Sequence, residues 1–297
     1  MRLHALAALL LSFAAAGARA HAQNCTLTRA AQLPINFDHS RLQVTITIND
    51  QPAQLIVDTG ATITSLTKDA AYRLSVQRDT DHSMEIFGAG ATDNHLDIGL
   101  VAHIDLDQTR LSDRAVAIMA MSNLDRQNDG LLGADILSKF EVEIDLPQRL
   151  LTLWNRGTCA NPAPGWASSA QIVEAQIDAR HHIQVPVRIE QSQLSLMLDT
   201  GAQSLALNTR AAAQAAGDAA LQAPLGDGIA ANNQHYSAWY YRFHEVKFAG
   251  QTTQDVPAQI FPRSHFDEFD GLLGITPLLQ NRHFWLSYAT SRVYLAP

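Results

Sequence analysis

A duplication at a fixed spacing is the feature of this sequence that most constrains its fold. Asp58-Thr59-Gly60-Ala61 recurs as Asp199-Thr200-Gly201-Ala202, and Asp129-Gly130-Leu131-Leu132-Gly133 recurs as Asp270-Gly271-Leu272-Leu273-Gly274. Both repeats are displaced by 141 residues. Two matches at one spacing indicate two copies of one structural unit.

Each Asp-Thr-Gly motif follows the same strand pattern. Apolar residues alternate with polar ones over 42–48 and again over 183–189, which is typical of half-buried strands. A turn then leads into an apolar run, 55–57 or 196–198, that ends at the aspartate. The pattern predicts that a hairpin delivers each carboxylate to a buried loop.

Helix signals follow each motif at corresponding positions. Thr67 is placed to cap one helix, and Asn208 to cap a second, alanine-rich helix through Ala219. Further short helices are expected over 134–140 and 276–281, and closing strands over 142–153 and 284–295. Many short strands with turn signals predict an all-β fold with a few short helices, arranged as two similar lobes with a cleft between them. The expected boundaries are residues 34–154 for the first lobe, 155–170 for a linker rich in glycine, proline and serine, and 171–297 for the second lobe.

The N-terminal residues 1–22 have the pattern of a secretory signal peptide. Arg2 precedes an apolar stretch from Ala5 to Ala16, and small residues near Ala20 and Ala22 offer cleavage sites. The alternative is an uncleaved membrane anchor, but the apolar stretch is shorter than the ~20 residues that span a bilayer. We therefore expect an exported protein, periplasmic or secreted, with no stable membrane insertion. The net charge of −8 disfavours nucleic acid as a partner.

The chain has two cysteines, Cys25 and Cys159. Export into an oxidising compartment makes a disulfide between them plausible, and the alternative is two unpaired thiols. Their spacing does not suggest a metal site, and we expect no metal and no cofactor.

Two copies of Asp-Thr-Gly suggest a specific chemistry. A single such motif could be a surface turn, but both copies follow apolar runs. Two carboxylates brought within hydrogen-bonding distance cannot both ionise cheaply, so one retains a proton. Asp58 and Asp199 would then supply one base and one acid for hydrolysis through a water molecule. Gly60 and Gly201 allow close backbone approach, and Thr59 and Thr200 can form hydrogen bonds between the lobes.

Together, the paired Asp-Thr-Gly-Ala and Leu-Leu-Gly motifs resemble those of the pepsin and retropepsin group of aspartic peptidases. The alanine after Asp-Thr-Gly, the short lobes and the early helix are more similar to retropepsins, which assemble the site from two identical subunits. Here both copies lie in one chain, so the resemblance implies a monomeric endopeptidase that acts on extended peptides. It also implies that the Leu-Leu-Gly segments pass beneath the catalytic loops, although they could be simple buried turns.

The resemblance further implies glycine-rich hairpin flaps over the substrate. The candidates are Phe87, Gly88 and Gly90 in the first lobe and Gly226 and Gly228 in the second. None of the twelve histidines has metal-site spacing, and we expect surface histidines, including the pair His181-His182. The aromatic residues over 239–243 could line a groove, but alternation along a strand favours core packing.

Two other functions are compatible with these motifs. The first is a catalytically idle peptide-binding or interaction module with the same fold. The second is limited processing of one partner protein in place of general digestion.

Overall fold

The computed structural model describes residues 25–38, 41–85, 95–119, 128–229, 235–262 and 269–297. Within them the chain is mainly β-strand with short helices, so the predicted fold class is confirmed. The predicted signal peptide and the flap residues Phe87, Gly88 and Gly90 lie outside the described residues.

The first half of the chain contains ten strands and two short α-helices. The strands are β1 (Thr28–Asp38), β2 (Arg41–Ile48), β3 (Gln51–Val57), β4 (Ser65–Thr67), β5 (Gln77–Glu85), β6 (His95–Leu106), β7 (Thr109–Met119), β8 (Gly130–Leu132), β9 (Glu141–Asp145) and β10 (Leu150–Asn155). The helices are α1 (Lys68–Arg73) and α2 (Ala134–Leu137). These counts refer to the part of the chain that the structure describes.

The second half repeats this arrangement. Its strands are β11 (Gln171–Glu174), β12 (Gln176–Ile177), β13 (Ile183–Ile189), β14 (Ser192–Asp199), β15 (Leu205–Asn208), β16 (Leu225–Ile229), β17 (His235–Phe248), β18 (Gln251–Phe261), β19 (Gly271–Gly274), β20 (His283–Ser287) and β21 (Arg292–Ala296). One α-helix, α3 (Thr209–Ala216), follows β15. Short 3₁₀ segments cover Ala167–Ser169, Gly217–Gln222 and Leu278–Gln280.

The duplicated sequence produces a duplicated strand topology. In the first half, β2 and β3 form an antiparallel hairpin and β3 then runs parallel to β8. In the second half, β13 and β14 form the equivalent hairpin and β14 runs parallel to β19. The two Leu-Leu-Gly segments are therefore central strands beside the strands that lead to the aspartates, and not simple turns.

The predicted helix caps are confirmed. The Thr67 hydroxyl accepts a hydrogen bond from the Ala70 amide at 3.1 Å, and the Asn208 side chain accepts one from the Ala211 amide at 2.8 Å. The prediction that the second helix runs through Ala219 is wrong, because α3 ends at Ala216. Gly217 has a φ of 61°, which glycine adopts readily and which interrupts the α-helix, and the chain continues as a 3₁₀ segment.

Strands from both halves form one interlobe sheet in the order β11, β21, β20, β9, β10 and β1. Its centre is the antiparallel pair of β9 and β20, in which Ile144 lies opposite Phe284. The predicted closing strands 142–153 and 284–295 are each a hairpin of two strands. Because β1 begins at Thr28 and pairs with β10, it belongs to this sheet as well as to the first lobe. We propose that the first lobe spans residues 34–154 and the second residues 171–297, with residues 155–170 as the linker between them.

The interlobe sheet encloses a carboxylate. Glu141 is fully buried and accepts hydrogen bonds from the Trp285 indole at 3.1 Å and the Ala289 amide at 3.3 Å. The Arg156 guanidinium nitrogen lies 3.2 Å from it. Burial raises the pKa of Glu141. The contacts with Trp285 and Ala289 join the first half of the chain to the second.

A disulfide joins Cys25 to Cys159, with an S–S distance of 2.06 Å. The predicted pairing is therefore confirmed. The bridge attaches the N-terminal residues to the segment between the lobes. No helix within the described ranges is long and apolar enough to cross a membrane.

Candidate active site

The two Asp-Thr-Gly loops begin where two buried strands end. The Asp58 amide donates a hydrogen bond to the Leu132 carbonyl at 3.0 Å, and Asp199 lies opposite Gly274 in the parallel pairing of β14 with β19. The central position of both strands explains the apolar residues that precede each aspartate. Each loop therefore leaves a rigid strand that has a neighbour on either side.

Each glycine of the motifs lies against the aspartate of the opposite lobe. A Cβ atom added to Gly60 would lie 2.5 Å from Cγ of Asp199, and one added to Gly201 would overlap the Asp58 carboxyl group. No larger residue could occupy either position without moving a carboxyl group. The two glycines therefore allow the loops to approach closely enough for Asp58 and Asp199 to face each other.

The two carboxyl groups have matching hydrogen bonds. Oδ1 of Asp58 accepts from the amides of Gly60 at 2.9 Å and Ala61 at 3.0 Å. Oδ1 of Asp199 accepts from the amides of Gly201 and Ala202, each at 2.9 Å. Both side chains are thus oriented by their own loops, and the arrangement has approximate two-fold symmetry.

The threonines of the motifs form crossed hydrogen bonds between the lobes. The Thr59 hydroxyl donates to the Leu198 carbonyl at 2.6 Å and accepts from the Thr200 amide at 3.1 Å. The Thr200 hydroxyl donates to the Val57 carbonyl at 2.7 Å and accepts from the Thr59 amide at 3.1 Å. Both threonines are fully buried, so water does not compete for these bonds.

Burial and mutual repulsion change the acidity of the pair. Burial raises the pKa of Asp58 well above its ordinary value, and the neighbouring Asp199 carboxylate raises it further. Burial also raises the pKa of Asp199, while hydrogen bonds from Ala202, Asp58 and Gly201 lower it. The pair therefore retains one proton to a higher pH than an isolated aspartate would.

The predicted flap residues of the second lobe lie in a strand. Gly226 and Gly228 belong to β16 and pair with Ala238 and Tyr236 of β17, so the hairpin turn does not lie at these glycines. The chain between the two strands, residues 230–234, is outside the described ranges. A Cβ atom on Gly226 would lie 2.7 Å from the Tyr240 ring, which accounts for glycine there.

His182 corrects the expectation that the histidines lie on the surface. It is 5% exposed, and its neighbour His181 is exposed. Its Nδ1 lies 3.0 Å from Oδ2 of Asp178, and its Nε2 lies 3.0 Å from the Thr62 hydroxyl of the other lobe. The sequence offered no signal for this burial, because Thr62 lies 120 positions away.

The aromatic residues of β17 follow the predicted alternation. Phe243 is fully buried, and Trp239 and Tyr241 pack against the core, whereas Tyr240 is 41% exposed. Core packing therefore accounts for most of this group.

One group in the described part of the chain has the composition of a metal site. Asp50, His103 and Asp105 bring their ligand atoms within 4.8 Å of one another. However, Arg110 already forms two hydrogen bonds with Asp105, at 2.6 and 2.8 Å, and neutralises it. The group is therefore a surface ion-pair network.

An apolar cavity of about 110 Å³ lies in the second lobe behind the loop that follows Asp199. Leu205, Phe248 and Leu273 contribute to its wall. Neither Asp58 nor Asp199 lines it, so it is distinct from the cleft where the two carboxyl groups meet.

Comparisons with known proteins agree with the duplication. Residues 44–139 match a family model described as "gag-polyprotein putative aspartyl protease", and residues 185–276 match a model described as "Aspartyl protease". The two matches contain the two Asp-Thr-Gly motifs and together cover more than half of the chain. No curated protein sequence matches the chain at a significant level.

Two solved structures are among those that are similar to this chain. A retropepsin-like aspartic protease from Rickettsia conorii is 18% identical, with a TM-score of 0.34, over 42% of this chain and 87% of that one. Basic 7S globulin from soybean is 14% identical, with a TM-score of 0.46, over 92% of this chain and 96% of that one. With its two tandem aspartyl protease domains, the chain belongs to the retropepsin-like aspartic proteases, in a duplicated, single-chain form.

Proposed function

We propose that this chain is an aspartic endopeptidase in which Asp58 and Asp199 share one proton and activate a water molecule. The observation that carries the proposal is the packing of each motif glycine against the opposite aspartate, with 2.5 Å between a Cβ on Gly60 and Cγ of Asp199. Such close approach has a structural cost, because it concentrates two carboxyl groups in a buried site. Both carboxyl groups accept their loop hydrogen bonds, and this supports a catalytic site over an idle one.

The proposed reaction is the general acid-base hydrolysis of aspartic proteases. The ionised member of the pair removes a proton from the water molecule, whose oxygen attacks the peptide carbonyl carbon. The protonated member donates to the carbonyl oxygen, which gives a tetrahedral intermediate without a covalent bond to the enzyme. The aspartate that took the water proton then donates it to the leaving nitrogen, while the other aspartate takes a proton from a hydroxyl of the intermediate. The C–N bond breaks, the carbonyl re-forms as a carboxylic acid, and the pair is again singly protonated. The reaction needs no metal and no cofactor.

Extended peptides are the proposed substrates. Each lobe ends its sheet with a hairpin, β5 with β6 in the first lobe and β16 with β17 in the second. An edge strand can pair with an extended chain through main-chain hydrogen bonds. We propose that these hairpins form the flaps. Phe87, Gly88 and Gly90 fall in the sequence between β5 and β6, and Gly226 and Gly228 lie in β16.

We further propose that the protein is exported and acts as a monomer. The pattern of residues 1–22 and the disulfide between Cys25 and Cys159 support an oxidising compartment. Because one chain supplies both aspartates, the site does not need a second subunit.

Cleavage of an unfolded peptide library by the chain from residue 23 onward, between pH 3 and 8, tests the proposal. Asp58→Asn and Asp199→Asn should each reduce kcat/KM by about 10²–10⁴-fold, since each removes an acid-base partner. Asp113→Asn is the matched control: Asp113 is exposed, and its φ of 51° suits asparagine. Full activity in either dyad variant would refute the mechanism. Binding of a transition-state mimic without any cleavage would favour the idle peptide-binding module.

A further inference from the structure

His182 lies in a tight turn between β12 and β13 that Asp178 organises. Oδ1 of Asp178 accepts hydrogen bonds from the amides of Arg180 at 2.8 Å and His182 at 2.9 Å. Its Oδ2 lies 3.0 Å from Nδ1 of the imidazole. The carboxylate therefore fixes both the backbone of the turn and the orientation of the ring, with the Nδ1 proton directed toward Asp178.

The opposite edge of the ring reaches the first lobe. Nε2 lies 3.0 Å from the hydroxyl of Thr62, which follows Asp58 by four positions in the catalytic loop. The neutral ring accepts a hydrogen bond from this hydroxyl, and the protonated ring donates one to it, so the contact can form in both states. A residue of the second lobe thus holds the loop of the first-lobe aspartate.

This contact breaks the two-fold symmetry of the site. At the spacing of 141 residues that relates the motifs, the counterpart of His182 is Arg41 and the counterpart of Thr62 is Gln203. The duplicated halves therefore differ in sequence at both residues of this contact. The second lobe alone provides an imidazole there.

The imidazole also affects Asp199 through its charge. Positive charge on His182 lowers the pKa of Asp199, against the increase that burial causes. The charged groups around the ring are Asp178, which contacts it, Asp199, and Arg180 and His181 in the same turn. A positive charge on the ring favours the ionised form of Asp199.

We propose that His182, oriented by Asp178, is a positioning residue that fixes the Thr62 loop across the lobe interface and presents its imidazole to the dyad. This inference rests on the proposed function, since it assigns His182 a part in the same reaction. It makes the acid limit of activity depend on a histidine outside the Asp-Thr-Gly motifs.

Two variants separate the two effects. His182→Gln removes the charge but retains a side chain that can form hydrogen bonds, and it should move the acid limb of the kcat/KM profile to higher pH. Thr62→Val removes the hydroxyl but keeps the charge, and it should lower kcat/KM about fivefold, the equivalent of one neutral hydrogen bond, without moving that limb. His103→Gln is the matched control, because His103 also bonds an aspartate, with Nε2 3.0 Å from Asp50, outside the proposed site.

Titration of ¹³C-labelled aspartate carboxyl groups gives a readout that does not require turnover. In His182→Gln the dyad should titrate at higher pH than in the wild type, while His103→Gln should match the wild type. Unchanged dyad titration in His182→Gln would overturn the inference, even if the variant lost activity or stability. If the wild type cleaves no peptide, the proposed function fails, but a shifted titration would still support the electrostatic role of His182.

Discussion

Thr200→Val tests whether the crossed threonine bonds hold the lobes together. The hydroxyl of Thr200 bonds the Val57 carbonyl at 2.7 Å and the Thr59 amide at 3.1 Å. Valine has nearly the same shape, so the change removes the hydroxyl without leaving a cavity. It leaves one carbonyl and one amide of the other lobe without their partner in a fully buried site.

The expected loss follows from these two groups. Each unsatisfied buried polar group costs roughly 1–3 kcal/mol, so the free energy of unfolding should fall by about 3–4 kcal/mol. A chain of this size loses about 1 °C in Tm for each ~0.6 kcal/mol, which gives a decrease of about 6 °C. Since the same bonds align the aspartates, kcat should fall as well.

Urea and thermal unfolding of purified protein measure this loss, with peptide cleavage assayed in parallel. Thr252→Val is the control, because Thr252 is an exposed strand residue whose substitution should change the stability by less than about 0.5 kcal/mol. A loss for Thr200→Val no larger than that of the control would refute the reasoning. Thr59→Val should behave like Thr200→Val, because its hydroxyl forms the equivalent pair of bonds.

Three further predictions concern the pair, the loops and the disulfide. The folded-state pKa of Asp58 is raised, so the native protein loses stability as the pH rises from the ordinary aspartate range through the raised pKa. Asp58→Asn should therefore be more stable than the wild type at pH 7. In urea unfolding, this difference in stability should shrink toward pH 4. Gly60→Ala should lower kcat/KM more than 100-fold and the free energy of unfolding by roughly 1–3 kcal/mol, because the added Cβ would lie 2.5 Å from Cγ of Asp199. Wild-type activity in this variant would show that the loops can separate at no cost. The double change Cys25→Ser and Cys159→Ser should cost about 2–5 kcal/mol, since the bridge closes a sequence separation of 134 residues, and an unchanged urea midpoint would contradict this.

The repeated elements could be predicted because their causes lie close together in sequence. An apolar run such as 55–57 needs burial on both faces, and Thr67 and Asn208 cap helices that begin at the next residue. Strand, turn and cap signals occur twice at one spacing, so each half supports the interpretation of the other. The fold class and the disulfide followed from these local patterns and from composition.

Other features that depend on contacts between distant residues could not be predicted, unlike the interlobe bonds of Thr59 and Thr200. His182 is buried by Asp178 and by Thr62, and neither contact follows from an adjacent pair of histidines. Glu141 is a charged residue in a strand, which from sequence suggests exposure, yet Trp285 and Ala289 of the other half enclose it. The end of α3 at Ala216 was missed because the alanine-rich pattern outweighed the signal of Gly217.

Because β9 pairs with β20 within one chain, a single molecule holds both sides of the cleft together. Tethered halves meet at an effective concentration on the order of millimolar, whereas separate subunits at low concentration would dissociate. Specific activity should then be the same at nanomolar and micromolar protein. Covalent linkage also frees the two halves to diverge, as His182 and Arg41 already have. An obligate pair of identical subunits cannot change one side of its cleft alone.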